Sequence, residues 1–156
     1  MPTANQVDAE ADQYRRHLDE LYDSVCRWVA GRYPKASFSH TPVHLSEEAI
    51  GVYQVESLDV AVPGLPAVRF VPRGIFMVGA HGRVDVRSRL GREVLMWVEP
   101  SGSAIGNGIS LEEEMITRPL FANVAEGWAW SDSTRNEIQH LDENVFWTRL
   151  YGPLTQ

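Results

Sequence analysis

The sequence predicts an α+β fold: an antiparallel β-meander sheet of about five to seven strands, covered by a long N-terminal helix and completed by a short C-terminal helix. Two patterns carry that expectation. Between Val52 and Glu99, short alternating apolar runs (Leu58, Val60 and Val62; Val68 and Phe70; Val84 and Val86; Val94, Met96 and Val98) are cut at Pro63-Gly64, Pro72-Arg73-Gly74, His81-Gly82 and Leu90-Gly91. Glycine admits a positive φ there and proline fixes φ near about −65°, so each cut reads as a turn. Strands this close in sequence pair antiparallel, because a parallel crossover needs a dozen or more residues. Ahead of them Val7, Ala11, Tyr14, Leu18, Leu21, Val25 and Trp28 recur at alternating steps of four and three, one apolar stripe along a helix. A sheet with one apolar face needs such a cover.

Taken in order, the first element is the helix within residues 1–33, stopped near Gly31 with Pro34 just beyond. Its stripe also suits a coiled-coil pairing, which makes a homodimer a second use of the same face. Residues 34–51 read as a connector with Pro34, Pro42 and a Ser46-Glu47-Glu48 cluster, Ser46 being placed to cap a short helical turn. The meander occupies 52–99, and 100–110 (PSGSAIGNGIS) is a Gly/Ser loop. Ser110 and Glu113 have capping-box spacing, so Leu111 to Thr117 is expected as a short helix ended before Pro119. Trp128-Ala129-Trp130 follows as a strand. Asp142 is a fair N-cap for a closing helix from Glu143 to Tyr151, ended by Gly152-Pro153. No repeat or composition shift divides the chain, and residues 1–156 read as one domain.

At 156 residues, 44% apolar and with five tryptophans, the chain can bury a core of its own. Its single cysteine, Cys26, excludes an intrachain disulfide and any cysteine-based zinc spacing, as a reducing cytosol permits. The start, MPTANQVDAEADQY, lacks the basic and apolar regions of a signal peptide. No apolar run reaches the roughly 18 residues of a membrane span. The expectation is a cytoplasmic protein without a membrane segment. Lys35 is the only lysine beside thirteen arginines, a bias expected of GC-rich bacterial coding.

The net charge of −7 argues against a general nucleic-acid binder, but it is unevenly spread. Residues 69–92 carry Arg69, Arg73, Arg83, Arg87, Arg89 and Arg92 against Asp85 alone, between flanks that are both acidic. A basic sheet lies inside an acidic chain.

The stretch from Pro72-Arg73-Gly74 through Gly79-Ala80-His81-Gly82-Arg83-Val84-Asp85-Val86 resembles a group of small bacterial proteins. In these an N-terminal helix, a meander with a G-A-x-G-R-V-D turn, a tryptophan strand and a closing helix opened by L-D-E-x-x-F follow one another. Here that last piece is Leu141-Asp142-Glu143-Asn144-Val145-Phe146. The resemblance covers most of residues 52–150. It implies the fold and carries no chemistry.

Among residues that could act, His40 and His44 stand at a zinc-compatible helical spacing with Glu47 and Glu48 after them, but Pro42 interrupts any helix between them and HExxH is absent. The loop from Gly102 to Gly108 lacks the GK[ST] ending of a phosphate loop and does not match G-x-S-x-G. Cys26, beside Val25 on the helix, reads as a small core residue. Asp85 with Glu56 or Asp59 could form an acid pair or a nuclease-like carboxylate set, yet strand-surface acids beside arginines ordinarily serve as ion-pair partners. His81 lies in a turn next to Arg83.

The arginine face is the strongest signal. With Val84 and Val86 pointing inward, Arg83, Asp85 and Arg87 point the other way, and Arg69 does the same between Val68 and Phe70. Guanidinium forks bind carboxylates and phosphates bidentately. The binding candidates are therefore Arg69, His81, Arg83, Asp85 and Arg87, with no catalytic residue, metal ligand set or cofactor assigned. The expected function is a non-enzymatic bacterial interaction module, of immunity or accessory type, that binds a specific protein partner. An anionic-ligand or nucleic-acid binder using the arginine face is the alternative. A metal-dependent hydrolase using the His40/His44 segment comes third.

Overall fold

The computed structural model describes residues 4–48, 50–75, 82–99, 126–132 and 137–156. After the helix α1 (Ala4–Arg32) come β1 (Ser37–Glu47), β2 (Gly51–Ala61), β3 (Val68–Gly74), β4 (Arg83–Ser88), β5 (Gly91–Val98), β6 (Gly127–Asp132) and β7 (Glu137–His140). These seven strands form one sheet in chain order, every neighbouring pair antiparallel. The meander expected from the turn spacing is present, and it is longer at both ends than residues 52–99.

Helix α1 covers one face through Ala11, Tyr14, Leu18, Leu21, Tyr22, Val25 and Val29, all buried. Against them lie Leu58 and Val60 from β2, Val68 and Phe70 from β3, Val84 and Val86 from β4, Leu95 and Trp97 from β5, and Trp128 and Trp130 from β6. Trp28 closes the far end of the stripe half-buried, its ring 5.1 Å from that of Phe146. Three buried aromatic side chains hydrogen-bond across the helix–sheet interface. The Tyr14 hydroxyl donates to the Arg83 carbonyl at 2.6 Å, the Tyr22 hydroxyl to the Glu56 carbonyl at 2.6 Å, and the Trp128 Nε1–H to the His17 carbonyl at 2.7 Å. Each satisfies a polar group that burial would otherwise orphan, a net gain of about 0.5–1.5 kcal/mol apiece. Gly82 lets the chain pass beneath α1, because a Cβ there would stand 3.0 Å from the Tyr14 ring.

Two stretches differ from the sequence reading. The segment 34–51 is not a connector, since eleven of its residues form β1, the edge strand that pairs with β2 along its whole length. Pro42 sits in the middle of it opposite Glu56. An edge strand tolerates proline because one of its sides has no ladder to join. It is largely solvent-exposed, so it lacks the alternation that marks a half-buried strand. Ser46 is a strand residue there and caps no helix. In β5 the inward residues are Leu95 and Trp97, not Val94, Met96 and Val98. Val98 on the opposite face is buried against Ala129, with Met96 and Ile138 packed beside them. A strand apolar on both faces loses the alternation that would say which side is in.

The C-terminal segment opens as expected, with Asp142 accepting from the Val145 N–H at 2.7 Å. A short α2 (Glu143–Val145) runs into a π-helical stretch (Phe146–Tyr151) and a final α3 (Gly152–Thr155). Gly152-Pro153 therefore continues the helix instead of ending it. Proline has no N–H to give the carbonyl four residues back, and the widened π turn shifts the bonding so that the Gly152 N–H reaches the Trp147 carbonyl. Phe146, Leu150, Tyr151 and Leu154 are buried. The last turn lies against β4 and β5 rather than a sheet edge, where the Ser88 hydroxyl donates to the Leu154 carbonyl at 2.7 Å. The loop Gly102–Gly108 and the helix expected from Leu111 to Thr117 lie outside the described residues. Among the described residues no helix is long and apolar enough to cross a membrane.

Candidate functional site

The sheet face away from α1 carries the arginines. On β4, alternation sends Val84 and Val86 into the core and Arg83, Asp85 and Arg87 outward. Asp85 is nonetheless only 1% exposed, because arginine side chains from three strands close over it.

Register explains which ones. Arg83 and Arg87 flank Asp85 on its own strand. Arg92 on β5 pairs directly with Arg87. On β3 the register slips between Pro72 and Gly74, so that Gly74 and not Arg73 faces Arg83. Such a bulge re-aims the side chain it displaces, and Arg73 turns toward Asp85. The Arg83 Nε–H hydrogen-bonds Asp85 Oδ1 at 2.8 Å. Around Oδ2 stand Arg87 at 3.5 Å, Arg73 at 3.7 Å and Arg92 at 4.0 Å. Four guanidinium groups share one carboxylate.

Arg83 is the least exposed of the four at 29%, whereas Arg73, Arg87 and Arg92 are 51%, 47% and 58% exposed. Guanidinium nitrogens of all four stand within 4.0 Å of the carboxylate, while the side chains of Arg73, Arg87 and Arg92 stay about half exposed. A carboxylate taken out of water needs compensation, and the Arg83 hydrogen bond with its charge supplies it. The remaining three guanidiniums ion-pair with nothing else among the described residues. They leave a concentrated positive surplus on an otherwise acidic chain. Beside them on the same face lie the half-buried Val71, Val94 and Met96.

The residues singled out from the sequence are divided by the structure. Arg83, Asp85 and Arg87 come together. Arg69 belongs to a separate pair, its Nε–H 2.6 Å from Oδ1 of Asp59, directly opposite on β2. His81 lies outside the described residues. Arg73 and Arg92 were visible only as part of the basic run, because their approach depends on a bulge and on strand register.

His40 and His44 lie on β1 rather than on a helix, where residues four apart are about 13 Å distant along the strand and cannot share one ion. His40 Nδ1 is 3.5 Å from a Glu56 carboxylate oxygen. Glu47 instead ties the end of β1 to the end of β3, accepting from the Ile75 N–H at 3.1 Å and from the Tyr53 hydroxyl. Among the described residues no group of three or more His, Cys, Asp or Glu side chains could hold a metal ion. Cys26 is half-buried, and burial followed by the nearby Asp23 raises its thiol above the ordinary range, away from the reactive thiolate.

An open groove of about 350 Å³ runs between α1 and β2, past Leu18, Tyr22 and Val55. The one guanidinium lining it, Arg15, is already engaged by the Gln54 carbonyl at 2.9 Å and by Asp12 at 2.7 Å. Among the described residues the arginine cluster leaves guanidinium donors unspent. Compared with protein families, curated proteins and solved structures, the chain matches none of them.

Proposed function

We propose that the protein is a non-enzymatic interaction module, a cytoplasmic bacterial protein of immunity or accessory type, that binds a protein partner through the outer face of its sheet. The observation that carries this reading is the surplus of three guanidinium groups around one already compensated carboxylate. Arginine holds its proton throughout the physiological range, so it binds and orients anions rather than exchanging protons. The one carboxylate of the cluster is buried beneath the forks, where it serves as an organiser. Arginine and methionine beside apolar side chains are what protein interfaces enrich, and Val71, Val94 and Met96 supply that neighbourhood. The acidity of the rest of the chain disfavours a polyanion approaching as a whole.

A photo-crosslinking amino acid placed at Met96 or Val71 tests the reading against one placed at Glu20, on the exposed side of α1. The expected result is one partner protein captured from the outer face in native cells and lost in Arg87→Glu/Arg92→Glu. That partner should then bind the purified parent and not the double variant. Capture from Glu20 alone, or micromolar binding of single- or double-stranded nucleic acid by the parent at about 0.15 M salt, would overturn it.

A further inference from the structure

We infer that the arginine cluster receives an extended acidic segment of the partner, with carboxylates at alternate residues, rather than a single compact phosphate. This rests on the reading of the outer face as a docking surface and names what is recognised there.

The argument turns on where the cluster's centre lies. Arg73, Arg87 and Arg92 all converge on one point, and that point is already held by Asp85 Oδ2, at 3.7, 3.5 and 4.0 Å. A dianion placed over the centre would sit above a buried carboxylate of its own sign and meet its repulsion. The attractive positions are the outward ends of the separate forks. Each guanidinium has five N–H donors in a fixed fork, and at these distances Arg73, Arg87 and Arg92 spend none of them in a hydrogen bond to Asp85. The three come from adjacent strands, β3, β4 and β5, and since a nitrogen of each reaches within 4.0 Å of the same oxygen, no two of these nitrogens are more than about 8 Å apart. In an extended chain, residues on one side repeat about every 7 Å. Two alternate carboxylates therefore match the separation of the forks, each taken bidentately, and a third lets the segment bind in either register. The residues between them would lie over Val71, Val94 and Met96.

A labelled peptide, acetyl-Glu-Thr-Glu-Thr-Glu-amide, is titrated by fluorescence anisotropy into the full-length protein at low salt and at about 0.15 M. Inorganic phosphate and a short oligonucleotide serve as competitors. The expected result is saturable peptide binding that weakens as salt rises. It should be lost when the three glutamates are replaced by glutamine, fall at least tenfold in Arg87→Gln/Arg92→Gln, and resist millimolar phosphate. In Asp85→Asn the central repulsion is gone, and phosphate should become a competitor. Should that variant not fold, the arginine double variant, whose changed side chains are half exposed, decides alone. Phosphate or oligonucleotide displacing the peptide from the parent, or peptide affinity unchanged in the double variant, would overturn the inference. A partner captured on the outer face together with no peptide binding would refute this inference and leave the interaction module standing.

Discussion

Two carboxylates on neighbouring strands meet opposite settings. Asp85 on β4 lies beneath guanidinium groups, whereas Glu93 on β5 faces the other side of the sheet, accepting from the Trp130 Nε1–H at 2.8 Å. Burial raises the Glu93 carboxyl above its usual range; the Trp130 hydrogen bond opposes the shift and Asp132 adds to it. A raised folded-state value means that the protonated form favours folding. The contribution is complete below the ordinary glutamate range and is lost as pH rises through the raised folded value. Glu93→Gln keeps an acceptor for Trp130 and has no charge to bury. The variant should therefore exceed the parent in denaturant midpoint at pH 7, with the difference closing as pH approaches the ordinary glutamate range near about 4. A variant less stable than the parent at pH 7 would show that the charged form is favoured. At this scale the site was partly legible. Strict alternation about Val84 and Val86 was enough to put Arg83, Asp85 and Arg87 on one side. It could not show that Asp59 opposite Arg69 draws that arginine away, nor that a bulge delivers Arg73.

Elements were legible where one face is buried and illegible where neither or both are. The α1 stripe was readable for the first reason, and Tyr22 and Val29 only widen it. Exposed β1 was missed for the second, and doubly apolar β5 was read as a strand without its inward side. The closing helix adds a constraint of its own, because a Cβ at Gly152 would overlap the carbonyl oxygen of Trp147 while one at Gly31 would meet nothing within 4 Å. Both glycines are helical. Gly31→Ala should stabilise the protein by about 0.4–1 kcal/mol through the unfolded chain. Gly152→Ala should destabilise it by about 1–3 kcal/mol, the range for an overpacked site. Paired chemical denaturation reads both, and two changes of the same sign would contradict the π-turn geometry.

On the scale of the whole molecule, the two faces of the sheet have different duties. The inner face, under α1 and the closing segment, holds nearly all the buried apolar side chains and thus the stability. Three of the outer-face guanidinium groups exceed what Asp85 requires, and that excess is the central claim. It is tested most directly by the stability of Arg73→Gln/Arg87→Gln/Arg92→Gln. The aliphatic stem is largely kept and Arg83 still compensates Asp85, so the unfolding free energy should change by no more than about 0.5 kcal/mol per substitution, as for ordinary surface changes. A loss of about 3 kcal/mol or more, the cost of stripping a buried charge of partners it needs, would show that all four arginines serve the fold and that none is spare for a partner.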